Sequence, residues 1–296
     1  MPKTIAITGA SGLVGKALQE ALKARGDQVI RFRRGQATAA DERPWSPGER
    51  LDPSVLDGID AVIHLAGEPI SQRWTDAAKE RILASREGGT RSIAEAVAQA
   101  AHKPTLVSAS AVGIYGADRP GRVDESSAPG EDFLAQVCLA WESATEPARL
   151  AGVRVVNVRL GVVLATEGGA LSQMLPPFKL GMGGRVGDGE QAFPWVHIDD
   201  AVKVFLLALD EPGLQGPVNV VAPEEVKNAG FTKALGEALG RWTLVPVPAL
   251  GVKLIFGEMG EKLLLKGQNV RPGVLEARGF EFGFPQLKGA LAELVG

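Results

Sequence analysis

Three glycines in the stretch TGASGLVG, Gly9, Gly12 and Gly15, are spaced GxxGxxG between a β-branched run and an apolar-periodic one. A strand before and a helix after make that spacing a phosphate-binding turn. Gly9 permits the tight turn, Gly12 lets the main chain approach a pyrophosphate, and Gly15 lets the helix pack close. The helix start adds free N–H groups and the positive end of its dipole, which brings Ser11, Leu13 and Val14 into the same cradle. The chemistry this supports is dinucleotide binding. The next β-rich run, DQVIRFRR, ends on Arg33 and Arg34, with Arg31 two residues earlier and no acid at its end. An acid there would accept from a ribose 2′-hydroxyl, whereas guanidinium forks match a 2′-phosphate. The spacing therefore predicts NADP(H) over NAD(H).

Other groups able to do chemistry are few. Tyr115 is the single tyrosine and Cys138 the single cysteine. His64, His102 and His197 form no HxxxH-like pair, so no metal site is expected. Arg185 lies in the Gly-rich stretch GGRVGDGEQAF, where it is placed to meet a phosphate or carboxylate. Trp74 and Trp195 suit either stacking on a ligand or core packing. In HIDD, Asp199 is read as the cap of the following helix and His197 as a satisfied, partly buried histidine.

The elements that must position these residues alternate. Strands are predicted at 3–8, 27–34, 60–67, 104–110 and 153–164, and helices at 12–26, 75–101 and 132–152, the second opened by Thr75 or Asp76. Near-continuous apolar strands alternating with helices predict an α/β fold, a doubly wound parallel sheet of Rossmann type covered on both faces. It spans 1–165. The remainder, 166–296, is richer in Gly and Pro and reads as a smaller substrate lobe, with 217–222 returning to the main sheet.

Composition narrows the partners. The chain has 296 residues, 45% hydrophobic and 23% charged, with a net charge of −3 and a pI near 5.8. That balance gives no reason to expect nucleic acid or an anionic membrane. No apolar run approaches the roughly 20 residues of a membrane helix. The first strand begins almost at once, which leaves no leader peptide to expect, and one cysteine suits the cytoplasm. A monomer or homodimer acting on a small molecule is expected.

The motifs TGASGLVG, HLAG, SASAVGIYG and WVHIDDAV, in this order, resemble the extended short-chain dehydrogenase/reductases, which include nucleotide-sugar epimerases and dehydratases. LAGEPISQRW, GGRVGDGEQAFPWVHIDD and the terminal RPGVLEARGFEFGFPQLKGAL are similar to an atypical epimerase-family subgroup. The resemblance implies that Leu65, Ala66 and Gly67 lie on the adenosine side of the cofactor. It implies that Ser108 and Ser110 reach toward the nicotinamide, Ser110 to the reacting oxygen, and that Leu160 and Gly161 stand in the loop beside it. It puts Tyr115 at the substrate rim and Glu68, Arg86 and Arg185 on the substrate side.

The pattern breaks at one place. The family's Tyr-x-x-x-Lys pair falls on Leu134 and Cys138 in FLAQVCLAWE. Leucine has no proton to give, and cysteine is short and uncharged. Two functions remain in view: an NADP(H)-dependent oxidoreductase or epimerase-like enzyme using Ser110 and Tyr115, or a non-catalytic NADP(H) sensor acting through a protein partner.

Overall fold

The computed structural model describes residues 2–296. Strands β1 (Thr4–Thr8), β2 (Gln28–Arg33), β3 (Glu42–Pro44), β4 (Ala61–His64), β5 (Thr105–Ala111), β6 (Arg122–Val123), β7 (Val155–Leu160), β8 (Val162–Leu164), β9 (Trp195–His197), β10 (Gly216–Val220) and β11 (Asn269–Val270) occur in that order. Seven of them form one parallel sheet, β10-β7-β5-β4-β1-β2-β3. The order reverses between β1 and β4, and the crevice beyond the strand ends at such a reversal is where ligands bind in open α/β sheets.

Helices cover both faces because the strands are apolar on both. On one face α1 (Leu13–Ala24) and α6 (Ile198–Asp210) pack on Ile5, Ile7, Ile63, Val107, Val156 and Val218. On the other, α2 (Asp76–Gln99) and α4 (Glu146–Leu150) pack on Ala6, Ile30, Val62, Leu106 and Val155. Each fully buried Ile or Leu contributes about 1.5–3 kcal/mol, so this double layer is the main source of rigidity under the crevice. Thr75 caps α2, its hydroxyl accepting from the Ala78 N–H at 3.2 Å.

Several expectations are corrected. The predicted helix 132–152 is two, α3 (Phe133–Ser143) and α4, because Pro147 has no N–H to continue the ladder and can only start a new helix. The predicted strand 153–164 divides at Gly161 into β7 and β8, where a Cβ would lie 2.6 Å from the Pro194 carbonyl oxygen. The edge strand β3 lies in a polar stretch that periodicity does not mark. Helix α6 comes from the 166–296 segment yet packs in the main layers, beside the expected return of that segment to the sheet as β10.

The rest of that segment forms α5 (Gly169–Lys179), α7 (Asn228–Ala238), α8 (Ala249–Leu264), α9 (Gly273–Ala277) and α10 (Leu287–Val295). A separate core of Leu171, Phe178, Trp195, Phe231, Leu235 and Leu291 holds α5, α7 and α10 together. Helix α8 is broken at Gly257, whose φ of 61° and ψ of −141° suit glycine. Past the break, Met259 packs on Trp74, Ile82, Leu134 and Val137. No helix among the described residues is long and apolar enough to cross a membrane.

Candidate functional site

The glycine turn connects β1 to α1 at the order reversal. Gly9 has φ 68° and approaches the loop after β4 so closely that a Cβ would lie 2.9 Å from the Ala66 nitrogen. A Cβ on Gly15 would lie 2.4 Å from the Gly9 carbonyl oxygen. Gly12 is the N-cap and supplies no side-chain cap, so the N–H groups of Leu13, Val14 and Gly15 remain open at the helix start. Ser11 and Gly12 are exposed. This is a cradle of donors shaped for phosphate oxygens, and a nicotinamide dinucleotide fits it.

Thr8, which the motif reading passed over, ties this turn to the next loop. Its hydroxyl accepts from the Leu65 N–H at 3.1 Å and the Ala66 N–H at 3.3 Å, and meets His64 Nδ1 at 2.8 Å. Two donors to Thr8 leave its proton for Nδ1, which puts the His64 proton on Nε2. Burial pushes His64 down to about 3, so the ring is neutral.

The arginines at the end of β2 are not equivalent. Acids reach them from the β3 side, which the sequence reading missed. Arg31 pairs with Asp41 at 3.0 Å and Glu42 at 3.2 Å, and Arg33 pairs with Glu42 at 3.2 Å. Hydrogen bonds from the Thr38 N–H and hydroxyl, then from Arg33, hold Glu42 down at about 2. Arg34 is exposed and has no side-chain partner among the described residues. The free guanidinium at this strand end is therefore Arg34, and Arg33 is shared with Glu42.

Beyond the ends of β5 and β7 lies a buried polar network. Ser110 donates to Glu142 Oε1 at 2.7 Å. Arg159 grips both oxygens of Glu142 at 2.8 Å and donates from Nη1 to the Tyr115 hydroxyl at 2.9 Å. Tyr115 in turn donates to Asn219 Oδ1 at 2.8 Å, and Asn219 donates from Nδ2 to the Arg271 carbonyl. One chain of bonds thus crosses α3, β5, β7, β10 and the terminal segment. The rim position expected for Tyr115 is corrected: the residue is 1% exposed, within the core formed by Val112, Val123, Cys138 and Val270. Burial raises its pKa, against the lowering effect of Arg159. Glu142, Arg159 and Asn219 escaped the motif reading, although polar groups in otherwise apolar strands, Arg159 in VVNVRL and Asn219 in PVNVV, were a signal.

Leu134 and Cys138 lie four apart on one face of α3, both within reach of a Cβ placed on Gly113, at 3.4 and 3.7 Å. Both are buried. Burial raises the Cys138 thiol to about 12, which keeps it protonated.

Ser108 is buried with only its neighbour's carbonyl as partner, and Leu160 and Gly161 are half-buried at the end of β7. Glu68 and Arg86 come together, since Arg86 Nη1 donates to the Glu68 carbonyl at 2.9 Å. Arg185 stays on the opposite lobe, exposed, its carbonyl accepting from the Val247 N–H at 2.8 Å. Trp74 and Trp195 are core residues. In HIDD the cap is His197, not Asp199: its Nδ1 accepts from the Asp199 N–H at 3.1 Å while Nε2 meets Glu293 at 2.9 Å. Asp200 accepts from the Gly283 and Phe284 N–H groups, which ties down the terminal segment.

Known proteins resemble this chain over nearly its whole length. Residues 5–222 match the model of the NAD dependent epimerase/dehydratase family, and residues 247–294 match a domain of unknown function, DUF1731. The chain is 43% identical over 281 residues to the epimerase family protein Mb2239 of Mycobacterium bovis, covering 94% of this chain and 93% of that one. It superposes on human epimerase family protein SDR39U1 (isoform 2), solved with NADPH, with a TM-score of 0.88 at 33% identity, covering 99% of both chains. A structure described as the nucleoside-diphosphate sugar epimerase from Corynebacterium glutamicum gives 0.83 at 38% identity, covering 100% of this chain and 59% of that one.

Proposed function

The chain belongs to the NAD dependent epimerase/dehydratase family, and on that premise we propose that it binds NADP(H) and acts as an oxidoreductase or epimerase-like enzyme on a small carbonyl or sugar-type substrate. The observation that carries this is the open cradle at the start of α1, with the unpaired Arg34 at the end of β2. Similarity to a protein solved with NADPH supports the phosphorylated cofactor.

In this reading Leu13, Val14 and Gly15 donate N–H bonds to the pyrophosphate, and Arg34 meets the 2′-phosphate. Bound as NADP+, the cofactor would accept a hydride from a substrate carbinol, and as NADPH it would return one to the carbonyl. Ser110 donates its own proton to Glu142, so its oxygen is the acceptor for the carbinol hydroxyl, whose proton would pass through Ser110 to Glu142 in the oxidation and back to the carbonyl oxygen in the reduction. Arg159 holds both Glu142 oxygens and keeps Ser110 aimed. Tyr115 braces this arrangement from behind and is a positioning residue. A lone buried thiol suits a reducing compartment such as the cytoplasm. The test is NADPH oxidation against panels of carbonyls and nucleotide sugars. Turnover that falls at least tenfold in Ser110→Ala supports the enzyme reading.

A second reading, a non-catalytic NADP(H) sensor acting through a protein partner, is favoured by a separate observation. The position of the usual acid, Leu134, is roofed by Met259, while Trp242, Leu244, Leu250, Leu254 and Ile255 present an exposed apolar surface nearby in sequence. Tight NADPH binding with no turnover across the panels supports it.

A further inference from the structure

We propose that Arg86 holds the nicotinamide-side ribose of the cofactor, so that α2 supplies the cation which α3, with Cys138 in place of lysine, lacks. This rests on the NADP(H)-binding reading above and reassigns Arg86 from the substrate to the cofactor.

The geometry is specific. Arg86 leaves α2 toward α3, and its guanidinium carbon stands 4.9 Å from the centre of the Trp141 ring. Trp141 lies one turn after Cys138 on α3. On the other side the guanidinium lies against the loop after β4: a Cβ on Gly67 would be 3.2 Å from Arg86 Cζ. The loop holds the group in place, because Nη1 donates to the Glu68 carbonyl at 2.9 Å and to the Ile82 carbonyl at 3.3 Å. Arg86 is thus fixed between the cofactor-side loop and the face of α3 that carries Leu134 and Cys138.

Its remaining donors are unspent. Nε and Nη2 have no acceptor among the described residues, and no carboxylate forms a salt bridge with Arg86. The neighbouring Trp141 Nε1–H is buried and also without a partner. A guanidinium cannot shed its proton, so a half-buried one without a counter-ion calls for an oxygen-rich ligand. Vicinal ribose hydroxyls next to a pyrophosphate supply acceptors and negative charge together. Gly67 admits this close approach, since any side chain there would meet the guanidinium.

The experiment titrates NADPH and adenosine 2′,5′-bisphosphate, which lacks the nicotinamide ribose, into wild type, Arg86→Ala, Arg86→Lys and Arg86→Ala/Cys138→Lys, with thermal melts confirming folding. Arg86→Ala is expected to weaken NADPH at least tenfold and to leave the bisphosphate within about twofold of wild type. Lysine at 86, or at 138 in the alanine background, is expected to recover most of the lost NADPH affinity. Unchanged NADPH affinity in Arg86→Ala overturns the assignment while the cofactor reading stands. Equal weakening of both ligands also overturns it, since that marks a structural role. Wild type binding neither ligand overturns the cofactor reading and this assignment with it.

Discussion

Tyr115 donates its phenolic proton to Asn219 Oδ1 at 2.8 Å, deep in the core, while Arg159 Nη1 donates to the phenolic oxygen at 2.9 Å. The one tyrosine of the chain is therefore committed on both lone pair and proton. A residue spent in this way braces the sheet edge and has no proton free for a substrate. Tyr115→Phe is expected to leave NADPH affinity within about twofold and to lower stability by about 1–3 kcal/mol, because Asn219 and Arg159 each lose a buried partner. Chemical denaturation beside a cofactor titration reads both effects.

The Glu142–Arg159 pair should behave as a buried ion pair. Each side chain is largely shielded, and both Glu142 oxygens are engaged. Removing one partner strands the other charge. Glu142→Ala is expected to cost about 3–5 kcal/mol, and Glu142→Ala/Arg159→Met less than the sum of the two single changes. Denaturant midpoints of the four proteins measure the coupling.

His64 predicts a pH dependence. The unfolded imidazole takes up a proton near its ordinary 6.5, and the folded one resists until about 3. The folded pKa is lowered, so this stability is fully present above pH 6.5 and is lost as pH falls toward 3. The slope from this single proton is about 1.4 kcal/mol per pH unit. Stability measured between pH 7 and pH 4 should fall less steeply in His64→Asn than in wild type.

Cys138 should be inert. With the thiol held at about 12 and buried, a disulfide reagent at pH 8 should modify the native protein far more slowly than the denatured one. Rapid reaction of the folded protein would contradict its placement.

The legible parts of this molecule were those carried by period and by glycine. Six of the seven strands of the sheet and the glycine turn follow from local spacing, and the absence of the tyrosine–lysine pair follows from the family resemblance. What escaped depends on contacts distant in sequence. Arg33 looked free because Glu42 lies nine residues away, on a strand too short and polar to show a pattern. Tyr115 looked like a rim residue because its partner Asn219 is 104 residues off. Asp199 is the more usual capping residue type, yet His197 held the place because Glu293, from the last helix, fixes its ring.

We propose that the glycine turn and Arg34 hold a phosphorylated nicotinamide cofactor in a site without the usual acid–base pair. The most direct test is energy transfer from the tryptophans to NADPH and to NADH, in wild type and in Arg34→Glu. NADPH is expected to bind at least tenfold more tightly than NADH, with Arg34→Glu erasing the preference and leaving NADH affinity unchanged. Equal affinity for the two cofactors in wild type, or binding of neither, would contradict it.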